Sequence, residues 1–164
     1  KARQSSCQSN LKQLGLAILQ YVQDYDERFP LGLTPVGTAY QTTMELVMPY
    51  AQNTQIALCP SAAQADLDFT SMGAGRYSYG INDRLCTAPV LGGSAPPNLA
   101  MIRDVTNTTM AYDAYNAGTA LAPDIRVRRR HNDGANCVFA DGHVKWYKTK
   151  PDNAHSEDYW NSTP

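Results

Sequence analysis

Residues 1–30, KARQSSCQSNLKQLGLAILQYVQDYDERFP, carry the strongest structural pattern in the chain. Its apolar side chains recur at steps of three and four, which places them on one side of an α-helix of roughly five turns. Pro30 is the first clear stop, because the residue before a proline disfavours helical geometry. The spacing therefore predicts a helix with one packing face, formed by Cys7, Leu11, Leu14, Ile18, Tyr21, Val22 and Tyr25.

The start of this helix carries positive charge at Lys1 and Arg3 and has no capping residue. The helix dipole favours anions at that end, whereas basic residues commonly flank a membrane segment. We therefore expect roughly 20 predominantly apolar residues directly upstream of Lys1, preceded by a short basic leader. The contact with a membrane is expected only through that upstream segment.

The composition excludes several classes of protein. A length of 164 residues fits one domain, and a hydrophobic content of 43% excludes disorder throughout. The net charge of -1 gives no general attraction to nucleic acid, so no nucleic-acid partner is expected. The chain has no G-x-S-x-G, H-E-x-x-H, P-loop or G-x-G-x-x-G motif, and we expect it not to be an enzyme.

The pattern changes to short strands after Pro30. A short helix over Thr43 to Met48 should end at Pro49. Strand-like runs bounded by turn signals cover residues 76–82, 108–113, 136–140 and 143–147. The sequence therefore predicts an α+β fold, with the long N-terminal α-helix packed on an antiparallel β-sheet and a loop-rich middle region.

Residues 128–148, RRRHNDGANCVFADGHVKWYK, predict a three-stranded meander. Asp133-Gly134 and Asp141-Gly142 are both signals for two-residue hairpin turns. In that register His131 lies opposite Asn136, roughly 17 Å along the strand from Asp141, so the two would not touch. The arginines beside this segment indicate either a charged, solvated strand edge or a patch for acidic partners; they are Arg126, Arg128, Arg129 and Arg130.

Asp113, His131 and His143 are the residue types of a metal site or of an acid-base pair. The meander argues against the simplest arrangement, because it separates His131 from the turn that holds His143. His143 lies near Asp141, but this pair lacks the third ligand of a metal site. An enzyme built on these residues is therefore a minor alternative.

The four cysteines match neither C-x-x-C redox spacing nor zinc-finger spacing, and they allow three full pairings. Cys59 and Cys86 both lie at loop boundaries in the middle of the chain, so we favour a disulfide between them. Cys7 and Cys137 are expected to be buried thiols, with a bridge between helix and sheet as the alternative.

Two segments carry a family resemblance. Residues 2–30 resemble the region that follows the membrane-spanning half of the N-terminal helix in bacterial type IV pilin-like proteins and type II secretion pseudopilins. Residues 130–148 resemble the C-terminal signature of a subgroup with a prepilin-type N-terminus, in which a His is followed by nine residues and Asp-Gly (H-x9-DG). Here the signature is His131, Asp141 and Gly142.

The resemblance implies a pilin-like fold and a structural role. Residues 1–29 would be the C-terminal half of the spine helix, 30–150 a globular head with the sheet, and 151–164 a C-terminal tail. The chain would be a subunit of a type IV pilus-like filament or of a type II secretion pseudopilus. Its partners would be copies of itself or other pilin subunits, bound through the N-terminal helix, and the pilus or secretion assembly machinery. It would be anchored in the inner membrane of the bacterial cell envelope before assembly, and then lie in a periplasmic or extracellular filament.

The alternative is a minor tip subunit or adhesin-like module that binds calcium or a surface glycan. The resemblance to secretion pseudopilins implies calcium near the C-terminus, while no other cofactor is expected. The oxygen ligands available there are Asp133, Asp141, Asp152, Glu157 and Asp158. Their spacing fits no EF-hand loop, and Tyr159 and Trp160 could stack on a sugar instead.

Overall fold

The computed structural model describes residues 2–63, 77–114 and 127–148. The helix α1 runs over Ala2–Asp24. It ends six residues before Pro30, because Asp26 and Glu27 adopt left-handed backbone angles that a right-handed helix cannot contain. Five of the residues in the predicted packing face are fully buried: Cys7, Leu11, Leu14, Ile18 and Val22.

The main sheet has four antiparallel strands in sequence order. The outer hairpin that precedes it in the chain consists of β1 (Leu33–Val36) and β2 (Ala39–Thr42). The main sheet contains β3 (Tyr79–Ile81), β4 (Thr109–Asp113), β5 (Gly134–Phe139) and β6 (Val144–Lys148). The fold is therefore α+β, as the sequence predicted, with α1 packed on this sheet.

The second helix, α2, covers Thr43–Ala51 and begins with a capping box. The Thr42 hydroxyl accepts from the backbone N–H of Glu45, while the Glu45 carboxylate accepts from the backbone N–H of Thr42. The prediction that Pro49 ends this helix was wrong, because two further residues stay helical. Burial of Met44 and Val47 against the core fixes the helix, and a proline in its last turn removes only one hydrogen bond.

Successive side chains of a strand point to opposite faces of the sheet. The two faces of the main sheet therefore contribute to two different hydrophobic clusters. Val138 faces α1 and α2 in the main core, whereas Cys137 and Phe139 lie in a smaller cluster with Tyr112 on the other face. All six residues of β5 and all five of β4 are buried, as expected for the two inner strands of the sheet. Within the described ranges, no helix has the length and apolar character needed to span a membrane.

Candidate functional site

The strand β5 and its two turns lie along α1 from near its first turns to beyond its middle. Gly15 packs against Val138 at mid-length, and Leu19 lies beside Gly142 beyond the C-terminal end of β5. Near the start of α1, Cys59 is bonded to Cys7 and also contacts His131, just before β5. We call these seven residues the helix anchor, because they hold α1 on the sheet at three levels.

A disulfide joins Cys7 to Cys59, with a Cα–Cα distance of 5.0 Å. The prediction of a Cys59–Cys86 bridge was therefore wrong, as was the prediction that Cys7 is an unpaired thiol. A short 3-10 helix, Thr54–Ala57, packs on α1 and carries Cys59 to the buried side of Cys7.

The two remaining cysteines are buried free thiols. Cys86 lies at the end of a tight turn, where its backbone N–H donates to the carbonyl of Asn82 and its side chain enters the main core. Burial raises the pKa of the Cys86 thiol to about 12 and also raises the pKa of Cys137. Both thiols therefore stay protonated at neutral pH.

A buried polar cluster lies directly next to the disulfide. Asp113 of β4 is 0% exposed, and its Oδ2 accepts from the backbone N–H of Asn136 at 2.8 Å and from the Asn136 side chain at 3.0 Å. Nη1 of Arg130 lies 3.9 Å from Oδ1 of Asp113, and Nε2 of His131 lies 3.5 Å from its Oδ2. The Arg130 guanidinium also donates to the backbone carbonyls of Ser78 and Ala114.

Burial shifts both titrating groups of this cluster toward their neutral forms. It raises the pKa of Asp113 to about 6, against the opposing effects of the Asn136 donors and the Arg130 charge. It lowers the pKa of His131 to about 4, and the nearby Arg130 charge acts in the same direction. At neutral pH His131 is thus neutral, and the Asp113 carboxylate is compensated by Arg130.

The predicted three-stranded meander is wrong in its first strand, because residues 128–130 form no strand and β4 pairs with β5 instead, and its first turn is shifted by one residue. Asn132 and Asp133 both have left-handed angles, and His131 pairs with Gly134 instead of Asn136. The reason is steric, because a β-carbon on Gly134 would collide with the Tyr147 carbonyl and the Trp146 ring. Gly134 is therefore needed in the strand, while asparagine and aspartate tolerate the left-handed turn positions.

The second turn uses three residues, 140–142, of which only Gly142 is left-handed, with φ 83. Asp141 Oδ1 accepts from the backbone N–H of His143 at 3.0 Å and lies 2.6 Å from its Nδ1. The Gly142 carbonyl accepts from Nζ of Lys12 at 2.7 Å. The helical spacing of Gln8, Lys12 and Gln23 predicts a face toward solvent and, in a filament, toward neighbouring subunits, whereas the Lys12 amine bonds the motif glycine.

The structure separates most of the residues considered for chemistry. It brings Asp113 and His131 together but places His143 at the far end of β5. Asp133 and Asp141, two of the candidate calcium ligands, also lie at opposite ends of that strand, about 20 Å apart, so the two cannot bind the same ion. The other calcium candidates, Asp152, Glu157 and Asp158, lie outside the described residues, as do Arg126 and the aromatic pair Tyr159 and Trp160.

Tyr25 does not belong to the packing face, contrary to the prediction. It lies after the last helical residue and is 53% exposed, so it no longer follows the helical spacing. Its ring stacks on the half-buried ring of Tyr21 at a centroid distance of 4.1 Å. Tyr21 in turn contacts the edge of Tyr50 on α2.

The side of α1 that faces away from the sheet carries a regular exposed stripe. Its members recur at steps of three and four residues, and none is charged. We call it the outer stripe; it consists of Ser5, Ser9, Gln13, Leu16, Gln20 and Gln23. Leu16 is its one large apolar member and is 45% exposed. The polar face predicted from the sequence included Gln23 of this stripe, and the exposure of the helix adds the other five members.

Comparison with known proteins gives one match. Residues 1–57, from α1 to the short 3-10 helix, match the model of a family described as a protein of unknown function (DUF1559), a family of prepilin-like bacterial proteins. The H-x9-DG segment lies outside the matched residues. No curated protein and no solved structure matches the chain.

Proposed function

We propose that this chain is a structural subunit of a pilus-like filament or of a secretion pseudopilus, and that α1 forms its contact with other subunits. Before assembly the subunit would be held in the inner membrane of the cell envelope, and the assembly machinery would move it into the filament. The observation that carries the proposal is the uncharged outer stripe along α1. The match of residues 1–57 to prepilin-like proteins supports it.

The chemistry of the outer stripe suits a helix that becomes covered by another protein. A solvent-facing helix normally presents charged side chains opposite its apolar face. Covering charged groups requires removing them from water, at a cost of several kcal/mol per ion unless they are paired. Serine and glutamine can keep hydrogen bonds across an interface, and Leu16 adds apolar contact area at the centre of the stripe.

The helix anchor attaches α1 firmly to the rest of the subunit. A helix that transmits force between subunits must be fixed to its own head domain. The covalent Cys7–Cys59 bond holds the first turns of α1, and the contact of Gly15 with Val138 holds its middle. The bond from Lys12 to the Gly142 carbonyl adds a further attachment. The two parts of the H-x9-DG segment therefore support α1 near its first turns, through His131 and Cys59, and along its middle, through Gly142.

The test is assembly of the protein expressed from its complete coding sequence in a cell that makes the filament. Leu16→Glu and Gln20→Glu place charge on the outer stripe without touching the core. We expect filaments seen by electron microscopy to fall at least tenfold, while thermal unfolding of the soluble chain stays unchanged. Gln55→Glu is a matched control, because Gln55 is exposed on the 3-10 helix and lies off the stripe. Normal assembly of both stripe variants would overturn the proposal.

A further inference from the structure

Four side chains with metal-binding atoms meet below the first turns of α1. They come from four separate segments of the chain: Cys7, Cys59, Asp113 and His131. The two sulfur atoms and one ring nitrogen of His131 all lie within 4.8 Å of one another. Each of the four residues is at most 4% exposed.

The distances around His131 match the edges of a tetrahedral zinc site. Zinc binds sulfur at about 2.3 Å and nitrogen or oxygen at about 2.0 Å, so neighbouring ligand atoms lie about 3.5 Å apart for nitrogen and sulfur and about 3.3 Å apart for nitrogen and oxygen. Nε2 of His131 lies 3.4 Å from Sγ of Cys59 and 3.5 Å from Oδ2 of Asp113. Two adjustments are needed: the sulfur atoms must separate to about 3.8 Å once their bond is broken, and the Asp113 carboxylate, which lies outside the group formed by the two sulfurs and the His131 nitrogen, must move toward the ion.

We propose that reduction of the Cys7–Cys59 disulfide converts this cluster into a site for one zinc ion, with Cys7, Cys59, His131 and Asp113 as ligands. A dithiol reductant supplies two electrons and two protons to the disulfide and becomes a disulfide itself. The zinc ion then displaces the two thiol protons, which are released to water. His131 binds through its neutral Nε2, and Asp113 binds as the carboxylate.

The charge balance of the cluster permits this exchange. In the disulfide form the Asp113 carboxylate is balanced by Arg130, and His131 is neutral. In the zinc form two thiolates are added together with a doubly charged cation, so the net buried charge is unchanged. Burying charge is costly unless it is compensated, and both forms meet that condition.

Asp113 has bonding capacity that the protein leaves unused. Its Oδ1 is buried, and no hydrogen-bond partner for it exists among the described residues. A buried carboxylate oxygen without a donor is unusual. A metal ion bound by Oδ1 would satisfy it, while Oδ2 keeps the bonds that it accepts from Asn136. Two thiolates and an imidazole favour zinc over calcium or magnesium, which prefer ligand sets made of oxygen.

A surface cleft gives access to the cluster from solvent. His131 forms part of its wall, and Arg130 and Asn132 lie beside it. The opposite wall is formed by Arg3 and Gln4 at the start of α1 and by Ser61, two residues after Cys59. A reductant and a zinc ion can therefore reach His131 without unfolding of the sheet.

The test compares the oxidised and reduced forms of the folded chain. The protein is reduced with a phosphine, incubated with zinc chloride, freed of unbound metal and assayed by elemental analysis. We expect one zinc per reduced chain, none in the oxidised chain, and a rise in melting temperature caused by zinc only after reduction. Cobalt in place of zinc should give the intense visible bands of a tetrahedral site with thiolate ligands.

Variants identify the ligands. His131→Gln and Asp113→Asn should each weaken zinc binding by at least tenfold, with circular dichroism confirming that both stay folded. Cys86→Ser and Cys137→Ser are controls that should bind as wild type, since these thiols lie elsewhere in the core. The proposal is overturned if the reduced wild-type chain binds no zinc, or if binding depends on Cys86 or Cys137 and not on His131.

Discussion

Gly15 of α1 and Val138 of β5 are packed so closely that a β-carbon on Gly15 would lie 2.5 Å from Cγ2 of Val138. This contact sets the distance between the long helix and the central strand of the sheet. Glycine within a helix costs about 1 kcal/mol relative to alanine. Glycine at position 15 therefore lowers the intrinsic stability of the helix but allows α1 to approach the sheet closely.

Substitution Gly15→Ala should destabilise the protein by about 1 to 3 kcal/mol, because the overpacking exceeds the gain in helix propensity. Urea unfolding measures the effect. Adding Val138→Ala should recover part of the loss, so the double-mutant cycle should show favourable coupling between the two substitutions. Gln13→Ala, on the outer stripe, serves as the control and should change little. A Gly15→Ala variant more stable than wild type would contradict the close contact.

The Cys7–Cys59 disulfide predicts which cysteine-containing peptides are linked in the oxidised protein. Peptide mapping under non-reducing conditions should recover Cys7 linked to Cys59, and a peptide joining Cys59 to Cys86 would refute this pairing. Replacing both Cys7 and Cys59 by serine should lower the free energy of unfolding by about 2 to 4 kcal/mol, since the bond closes a long loop in the unfolded chain. Cys86→Ser should leave the linked peptide intact.

The buried cluster predicts two opposite pH dependences in the disulfide-bonded protein, measured with a chelator present. The pKa of Asp113 is raised to about 6, so between about pH 4 and 6 the folded state keeps a proton that the unfolded chain has lost. Its contribution to stability is therefore lost as pH rises. The pKa of His131 is lowered to about 4, so the unfolded chain binds the extra proton in this window, and stability is lost as pH falls.

Two variants separate these effects. In His131→Gln, stability should decrease from pH 4 to 6 by up to about 1 kcal/mol per pH unit. In Asp113→Asn, stability should increase from about pH 4 to 6.5 by a similar amount. The wild-type profile should lie between the two and be flatter. Parallel profiles for both variants, from urea unfolding at each pH, would show that these groups do not titrate as described.

Different substitutions of Gly142, in the H-x9-DG segment, should destabilise the protein to different extents. Its φ of 83 lies in the left-handed region, where a β-carbon is disfavoured by about 1 to 2 kcal/mol. Gly142→Ala should therefore destabilise by about that amount, and Gly142→Asn by less, because asparagine tolerates this conformation better. Thermal unfolding of both variants measures the order. Equal stability of Gly142→Ala and wild type would contradict the turn geometry.

The helices and strands could be predicted from the sequence better than the strand register and the disulfide pairing could. Helical spacing predicts the buried face of α1 because each residue's position depends on its near neighbours. The one-residue shift of the first meander turn depends on the room around Gly134, which Trp146 and Tyr147 set from another strand. The disulfide partner of Cys59 likewise depends on how the 3-10 helix packs on α1.

The candidate site was predictable only in part, for the same reason. Asp113 and His131 were recognised by residue type, yet their contact follows from the pairing of β4 with β5 and from the shifted turn. Nothing in the local pattern places Cys59 beside His131. Such a cluster requires the tertiary structure, because its members are separated by up to 124 positions in the chain, from Cys7 to His131.

Cross-linking within assembled filaments shows whether the outer stripe of α1 contacts another subunit. A photoreactive residue replaces Leu16 or Gln20 on the outer stripe, or Gln55 as the control position, in the protein expressed from its complete coding sequence. The account predicts that irradiation of purified filaments gives covalent dimers from positions 16 and 20, with mass spectrometry locating the partner site on α1 of another subunit. Dimers formed from position 55 alone, with none from the outer stripe, would contradict it.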